Sequence, residues 1–191
     1  MFCEMQNVSF QDFIKGRLPD TYKEKDLKFI EEINKIDFEI VEYGYTFREV
    51  EGIIEGMYKD KKPDVIFIDF IQLIEWKSFN EERLALMEYI RKLKELAKRE
   101  DVGVVIISQL RRLPSGANYE RPPDIIDLKG SGSLEQTADK VILIHREISQ
   151  EQTKYFINLA KNRQGMTGQE EVEFKGEFYK FLNIGGFDDT D

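Results

Sequence analysis

Two uninterrupted apolar runs, separated by one long amphipathic segment, most constrain what this chain can fold into. The runs are DVIFID at 64–69 and VGVVIIS at 102–108, and the segment between them is NEERLALMEYIRKLKELAKRE at 80–100. That segment places four apolar side chains on one helical face, namely Leu86, Ile90, Leu93 and Ala97. Apolar runs without alternation are typical of a parallel sheet whose two faces are both covered. The pattern therefore predicts a strand, a helix and a parallel strand, and with them an α/β fold.

Further strands and helices are predicted on both sides of this unit. KVILIH at 140–145 and KYFINLAK at 154–161 predict two more strands of the sheet, and EVEFKGEFYKFL at 171–182 predicts an antiparallel hairpin at one edge. Three upstream segments have helical character: SFQDFIKGRL, KEKDLKFIEEINK and TFREVEGIIEGMY. A short strand, FEIVE at 38–42, is predicted between the last two. The sequence thus predicts a mostly parallel sheet with helices on both faces and a C-terminal antiparallel hairpin.

Composition and charge exclude several classes of protein. The 191 residues are 41% hydrophobic and 34% charged, which fits one folded core. No apolar run reaches the ~20 residues that cross a bilayer, and the N-terminus lacks a signal-peptide pattern, so we expect a cytoplasmic protein. A single cysteine, Cys3, and a single histidine, His145, argue against a disulfide or a Cys/His metal site. The net charge of −9 argues against a broad basic face for nucleic acid, although it leaves room for a local site.

Polar residues stand at the ends of the two apolar runs. Asp69 ends the first run and Gln109 follows the second. Because ligands gather at the carboxyl ends of parallel strands, both side chains are expected at one crevice. A carboxylate there can hold a nucleotide-bound Mg²⁺ through water, and a glutamine can contact the terminal phosphate. For each residue alone, a strand-end polar group that binds loop N–H groups is an equally good interpretation.

Two further observations concern phosphate binding. Gly130, Ser131 and Gly132 predict a tight loop before a short helix, which exposes backbone N–H groups to an anion, although a simple surface connection is the commoner meaning of such a pattern. The phosphate-loop pattern G-x-x-x-x-G-K-[ST] cannot be placed, because no glycine in the chain is followed by lysine. The chain therefore carries half of a nucleotide site. Its start, MFCEM, predicts the end of a strand already in progress, with the other half lost or supplied elsewhere.

Four stretches, in this order, resemble one family: VIFIDFIQLI, VGVVIISQLRR, RPPDIIDLKGSGSLEQTADKVILIHR and AKNRQGMTG. They resemble the C-terminal motor domain of replicative hexameric DNA helicases, the DnaB-like family, which has a RecA-type core. The match is dense over 64–183 and weak over 1–63, and it leaves 184–191 as a tail, so 1–191 is interpreted as one partial motor domain. The resemblance implies an ATP-dependent helicase that translocates on single-stranded DNA and unwinds duplex DNA.

The resemblance also implies roles for single residues. Asp69 matches the acid associated with Mg²⁺, Glu4 in FCEM matches the acid that activates the attacking water, and Gln109 matches the glutamine that senses the terminal phosphate. Lys161 and Arg163 in KNR match a pair that reaches into the neighbouring subunit's site. ATP and Mg²⁺ are the implied cofactors. The implied partners are copies of the same chain in a hexameric ring, a primase and a helicase loader.

The segment LKGSG matches the family's DNA-tracking loop. The groups that would hold phosphates of single-stranded DNA are Lys129 and the backbone of Gly130, Ser131 and Gly132. Contacts of this kind carry no sequence information. Arg111 and Arg112 either line the same pore or form a solvated loop. Loops from several subunits around a ring would form a positive channel, which is compatible with an acidic chain.

Other functions remain open at this point. One alternative is a non-catalytic RecA-fold paralogue that binds DNA or joins a ring as a passive or regulatory subunit. A RecA-type recombinase or a clock-type ATPase shares the core, although SGSLEQTAD and KNRQG favour the helicase. Since no phosphate loop can be placed, we expect the chain alone not to hydrolyse ATP.

Overall fold

The computed structural model describes residues 8–17, 29–42, 46–73, 82–111, 121–128, 131–150 and 152–184. Its named helices are α1 (Phe10–Ile14), α2 (Phe47–Asp60), α3 (Glu82–Glu100) and α4 (Ser131–Thr137). Its strands are β1 (Val65–Ile68), β2 (Gly103–Ile106), β3 (Lys140–Ile148), β4 (Thr153–Asn162), β5 (Gly168–Lys175) and β6 (Lys180–Asn183). Four residues predicted for the site lie outside the described residues: Glu4, Arg112, Lys129 and Gly130.

The described chain divides into two compact units. The helical unit contains the described residues between 42 and 143 and between 158 and 168, and the sheet unit contains the other described residues. The long strands β3 and β4 contribute residues to both units. All the predicted site residues that the structure describes belong to the helical unit: Asp69, Gln109, Arg111, Ser131, Gly132, Lys161 and Arg163.

A parallel strand pair lies at the centre of the helical unit. β1 and β2 pair in parallel, in register from Val65 opposite Gly103 to Ile68 opposite Ile106. Helix α3 is the connection between them, which confirms the predicted strand, helix and parallel strand. The α/β fold class is therefore confirmed, and the carboxyl ends of both strands lie at one edge.

Helices cover one face of this strand pair. The side chains on the covered face are Ile66, Ile68, Val104 and Ile106, which pack against buried residues of α2, α3 and α4. The alternate side chains Val65, Phe67 and Val105 are 45%, 70% and 42% exposed. Burial of these strands is thus one-sided in the described residues, whereas the unbroken apolar runs predict burial on both faces. Helices α2, α3 and α4 all supply buried side chains to the clusters that contain Ile66, Ile68, Val104 and Ile106.

The upstream helices are present, but the short upstream strand is not. α1, residues 29–33 and α2 are helical within the three segments predicted to be helices. Residues 38–42, predicted as the strand FEIVE, form no strand in the described structure. All five side chains are exposed, so no burial stabilises an extended conformation there. This prediction was wrong because it rested on local β propensity alone.

The C-terminal strands form a sheet of their own, in the order β3-β4-β5-β6. β5 and β6 pair antiparallel from Val172 opposite Asn183 to Lys175 opposite Lys180, which confirms the predicted edge hairpin. β3 and β4 are strands, as predicted, but their expected place beside the parallel strands is wrong. Only the four residues 149–152 connect β3 and β4, too few for a parallel crossover, so the two strands are antiparallel neighbours in a sheet that does not include β1 and β2.

Aromatic side chains stabilise the sheet unit. The Phe174 ring lies 4.7 Å from that of Phe181 and 5.2 Å from that of Tyr155, between ring centroids. His145 lies inside β3, and its ring stacks on Phe156 at 5.1 Å. These contacts give His145 a packing role. Among the described helices, none is both long and apolar enough to cross a membrane.

Candidate functional site

The carboxyl ends of β1 and β2 bring the two predicted nucleotide residues to one edge. After Ile68 the chain continues beside β2, since Ile107 N donates to Ile68 O at 2.9 Å and Ile71 N donates to Ile107 O at 3.1 Å. Asp69 lies between these two bonds, and its peptide bond to Phe70 is cis. Asp69 and Gln109 are both exposed at this edge, as the sequence predicts.

Gln72 joins the segments that carry these two residues, and the sequence analysis missed it. Its Nε2 donates to Ser108 Oγ at 2.9 Å, and its Oε1 accepts from Gln109 N at 3.5 Å. The amide of Gln72 therefore links the chain after β1 to the chain after β2. The available signal was a single polar side chain inside the apolar stretch FIQLI.

The edge fits a Mg²⁺-bound nucleotide by the chemistry of its donors. Asp69 offers a solvent-accessible carboxylate, and carboxylate oxygen is the ligand type that Mg²⁺ prefers. Mg²⁺ usually takes only one or two protein carboxylates and completes its shell with phosphate and water. Gln109 adds an amide that can donate to a phosphate oxygen. No larger set of protein ligands is needed for this type of site.

A backbone bridge ties the segment after Gln109 to the segment that enters the predicted DNA loop. Leu110 and Leu128 form an antiparallel bridge, and Arg111 N donates to Asp127 O at 2.7 Å. Arg111 is exposed, and Lys129 follows Leu128 directly in the chain. The structure therefore brings the base of both predicted DNA-binding segments together.

One carboxylate at this base is neutralised by an arginine. Arg121 binds Asp127 through two hydrogen bonds, Nη1 to Oδ2 at 2.9 Å and Nη2 to Oδ1 at 3.1 Å. The Arg121 contact, with a hydrogen bond from the Asp124 backbone N–H, holds the pKa of the Asp127 carboxyl below its ordinary value. Asp127 therefore stays ionised against Arg121 at the base of the two predicted DNA-binding segments.

The predicted loop at 130–132 is shorter than expected. Helix α4 begins at Ser131, so Ser131 and Gly132 belong to its first turn and not to an irregular loop. A helix in place of the loop follows from the run SGSLEQT, whose Leu134 is buried in the main cluster and fixes the turn against the core. The prediction of a loop was therefore wrong for these two residues.

Lys161 and Arg163 converge on the C-terminal end of α4. Lys161 Nζ donates to the Glu135 carbonyl oxygen. Arg163 Nη2 donates to the Gln136 carbonyl oxygen at 2.6 Å. These carbonyls belong to the last turn of a helix, where free carbonyl groups and the helix dipole favour cations. The structure thus brings the two predicted side chains together at the C-terminal end of α4.

Asp139 completes this arrangement. It ends the run SGSLEQTAD, which resembles the helicase family, but no role was predicted for it. Arg163 N donates to Asp139 O at 2.9 Å, and Arg163 Nη1 donates to Asp139 Oδ1 at 3.2 Å. Lys94 of α3 also donates to the same carboxylate. The Lys94 contact, together with the charge of Arg163, lowers the pKa of the Asp139 carboxyl.

Asn162 shapes the turn that presents Arg163. Its Nδ2 donates to Met166 O at 3.1 Å, and its Oδ1 accepts from Gln164 N at 3.3 Å. A Cβ atom added at Gly165 would lie 2.9 Å from Asn162 Nδ2, closer than real contacts allow. The turn therefore requires both the asparagine amide and the space that the glycine leaves.

This combination defines a class of protein. A parallel strand pair with a connecting helix, an acid and an amide at its carboxyl edge, and an antiparallel extension describe a RecA-like α/β fold. Residues 1–183 match the family model for the DnaB-like helicase C terminal domain. The chain belongs to this family.

Relatives and solved structures agree with the family assignment. The replicative DNA helicase DnaB of Haemophilus influenzae is 31% identical over 170 residues, covering 85% of this chain and 34% of that protein. The DnaB of Buchnera aphidicola subsp. Acyrthosiphon pisum is 38% identical over 148 residues, covering 74% of this chain and 32% of that protein. The chain therefore spans about a third of the length of these relatives.

The fold has close counterparts among solved structures. A DnaB-like replicative helicase, solved in a study of its interactions with primase, superposes with a TM-score of 0.81 at 24% identity, covering 96% of this chain and 47% of that one. A solved ATPase domain superposes with a TM-score of 0.80, also at 24% identity, covering 96% of this chain and 68% of that one. At this identity the two structures support the fold alone.

Proposed function

We propose that residues 1–191 are one partial RecA-type motor domain of an ATP-dependent replicative DNA helicase, which translocates on single-stranded DNA and unwinds duplex DNA. The observation that carries the proposal is the position of Asp69 and Gln109 at the carboxyl edge of β1 and β2, in two segments that Gln72 joins by hydrogen bonds. That edge is where α/β proteins bind nucleotides. The helicase names of the relatives give the proposed reaction.

Each edge residue has a proposed task. Asp69 would hold a nucleotide-bound Mg²⁺ through water, and Gln109 would donate its amide hydrogen to the terminal phosphate. Glu4, by its resemblance to the family's acid, accepts a proton from the attacking water. ATP and Mg²⁺ supply the phosphoryl group and its charge neutralisation when bound. The amide of Gln72 keeps the two edge segments at a fixed spacing, because it binds Ser108 in the second of them.

Lys161 and Arg163 are proposed to act on the nucleotide of a neighbouring subunit. A guanidinium there stabilises charge on the transferring phosphoryl group, an effect that reaches roughly 10³-fold or more in rate. The arrangement supports this role because both side chains bind carbonyl oxygens of the same short helix, α4, and Arg163 is exposed. Hydrolysis then requires an oligomer, for which a hexameric ring is proposed.

Single-stranded DNA is the proposed polymer on which the motor moves. Lys129 and the backbone of 130–132 would hold its phosphates, and Arg111 and Arg112 would line the same channel. The bridge between Leu110 and Leu128 supports a common site, because it joins the bases of both segments. Binding should depend on salt and not on base sequence.

Further expectations follow from the helicase assignment. A replicative helicase works where the chromosome lies, so the proposed location is the cytoplasm. A primase and a helicase loader are proposed partners, because the chain belongs to the DnaB-like helicase family. The 191-residue chain by itself is proposed not to hydrolyse ATP, since no Gly-Lys pair allows a phosphate loop to be placed.

The test is ATP turnover and duplex unwinding by the natural gene product, compared with an Asp69→Asn variant. We expect the variant to lose at least about 100-fold in turnover, as a metal-orienting carboxylate should. Asp64→Asn is the matched control, because Asp64 is an exposed acid at the opposite end of the same strand. Equal loss in both variants, or robust turnover by the 191-residue chain, would contradict the proposal.

A passive RecA-fold subunit is the second candidate, and the absence of any Gly-Lys pair in the 191 residues favours it. The mass of the native protein in its source cells, detected with an antibody to this chain, separates the two. A product well above 22.5 kDa that contains a phosphate loop supports the helicase motor. A product of 22.5 kDa that binds DNA without ATP turnover supports the passive subunit.

A further inference from the structure

The Arg163 side chain and backbone are held by one short stretch of the same subunit. Three hydrogen bonds run from Arg163 to residues 136–139: backbone N to Asp139 O at 2.9 Å, Nη1 to Asp139 Oδ1 at 3.2 Å, and Nη2 to Gln136 O at 2.6 Å. An isolated surface ion pair contributes about 0–1 kcal/mol and fixes little. Three bonds from both ends of one residue restrict the guanidinium far more, because its plane must satisfy two acceptors together.

Asp139 is itself held in place from a third element. Lys94, on the last half of α3, donates to Asp139 Oδ2, while Arg163 uses Oδ1. The two carboxylate oxygens therefore accept from two different cations. Lys94 is the less exposed of the two, and its bond ties the carboxylate to α3.

We propose that Asp139 is a positioning residue for Arg163: with the carbonyl groups at the end of α4, it holds the guanidinium against its own subunit. The same helix end holds Lys161 through Glu135 O. A displacement of α4 therefore moves both cations together. The trans role of the pair rests on the proposed function, whereas the holding of Arg163 by Asp139 does not.

Helix α4 connects the segment proposed to hold DNA phosphates to the groups that bind the two cations. It begins at Ser131, within that segment, and its last turn supplies the carbonyl oxygens that bind Lys161 and Arg163. It is only seven residues long, or about 10 Å. A shift at its first turn would therefore reach its last carbonyl groups through the backbone of one short helix. On the proposed function, α4 links the DNA loop to the two cations.

The experiment is ¹⁵N NMR of the arginine guanidinium groups in the 191-residue chain, without nucleotide or DNA. In the wild type we expect the Nη groups of Arg163 to rotate slowly and give separate signals. In Asp139→Asn the rotation rate should rise about tenfold, because a hydrogen bond to a charged acceptor is lost. Asp139→Glu should restore much of the restriction, which a loss of packing alone would not do.

Glu171→Gln is the matched control, since it removes one carboxylate from a surface pair with Lys154 in the sheet unit, whereas Arg163 belongs to the helical unit. Backbone spectra of all variants establish that the fold is retained. If Asp139→Asn leaves the Arg163 signals as in the wild type, the proposal is overturned. Should Asp139→Asn fail to fold, Lys94→Met still tests the proposal, because it removes the bond that anchors Asp139 to α3 and must alter the Arg163 signals more than Glu171→Gln does.

A second step adds a thymidine oligonucleotide to the same samples. We expect the Arg163 signals to shift in the wild type and to shift less in Asp139→Asn. Binding of the oligonucleotide with no change at Arg163 would overturn the link through α4. No binding at all would count against the proposed DNA function, and the first experiment would still decide whether Asp139 positions Arg163.

Discussion

Gln72 Nε2 donates to Ser108 Oγ at 2.9 Å, across 36 positions of chain, and so joins the segment that carries Asp69 to the segment that carries Gln109. Both side chains are partly buried. Replacing either by alanine should lower the free energy of unfolding by about 1 kcal/mol. Because each replacement removes the same bond, the double variant should lose little more than one single variant. Denaturant titration of the four proteins measures this; full additivity would mean that the two side chains do not interact.

Mixing two inactive variants of the natural gene product tests whether Arg163 acts between subunits. Asp69→Asn disables a subunit's own site, and Arg163→Ala removes what that subunit gives to its neighbour. In a mixed ring, some sites combine an intact Asp69 with an intact Arg163 from the other variant. ATP turnover should therefore rise well above that of either variant alone. Turnover that stays at the sum of the two inactive proteins at every mixing ratio would place Arg163 in its own subunit's site.

The Arg121–Asp127 pair should stabilise the fold at neutral pH and lose this contribution in acid. The folded-state pKa of Asp127 is lowered, so the carboxylate form stabilises the fold. This stabilisation is complete above the unfolded pKa of about 3.9 and is lost as pH falls through the lower folded-state value. Arg121→Met should cost up to about 1 kcal/mol at pH 7, and the difference from wild type should shrink in acid.

Urea unfolding midpoints between pH 7 and pH 3 measure this difference. Arg146→Met is a suitable control, since Arg146 is an exposed arginine in the sheet unit. A difference between wild type and Arg121→Met that stays constant down to pH 3 would show that Asp127 gains nothing from Arg121.

The turn after β4 should tolerate alanine at one glycine and not at another. Gly165→Ala places a Cβ 2.9 Å from Asn162 Nδ2, which must then leave Met166 O, so we expect a loss of about 1 kcal/mol in stability. Gly168→Ala is the matched control, because a Cβ there meets nothing within 4 Å. Thermal unfolding of both variants provides the comparison, and equal effects would refute the role given to Asn162.

The exposed face of the parallel strands should bind apolar probes. Phe67 is 70% exposed, whereas its neighbour Ile68 packs against the main cluster. Phe67→Thr should lower binding of a hydrophobic dye by the 191-residue chain and leave its stability within about 0.5 kcal/mol of wild type. Ile68→Thr should instead lower stability by roughly 1–3 kcal/mol. Dye fluorescence and denaturant titration distinguish the two, and the reverse pattern would contradict the one-sided burial.

Periodicity and strand-end polarity predicted the centre of the fold and the place of its proposed nucleotide residues. The helix between the two apolar runs, the shared edge of Asp69 and Gln109, and the hairpin of β5 and β6 all follow from local patterns. The separate sheet did not, because an apolar run such as KVILIH contains no information about which strand lies beside it. Sequence spacing likewise says how far apart two residues are in the chain but not which side chains meet.

The contacts around Asp139 show this limit most directly. Lys94, Asp139 and Arg163 come from three elements, and only the tertiary fold brings them within hydrogen-bonding distance. Asp139 ends the run SGSLEQTAD, which favours the helicase family, but the run alone does not predict which side chains its carboxylate contacts. Gln72 differs, because a polar side chain inside an apolar stretch is a visible irregularity. Buried polar groups of that kind need a partner, which is a usable signal.

The bridge between Leu110 and Leu128 holds the segment after Gln109 beside the segment that leads into α4, whatever the length of the chain between them. It fixes the exit of one segment to the entry of the next, so the closure entropy of the residues between depends only weakly on their number. Insertions or deletions between Arg112 and Arg121 should therefore leave Gln109 and the start of α4 in register. The length of that part of the connection can change while the proposed nucleotide and DNA segments stay joined through the two leucines.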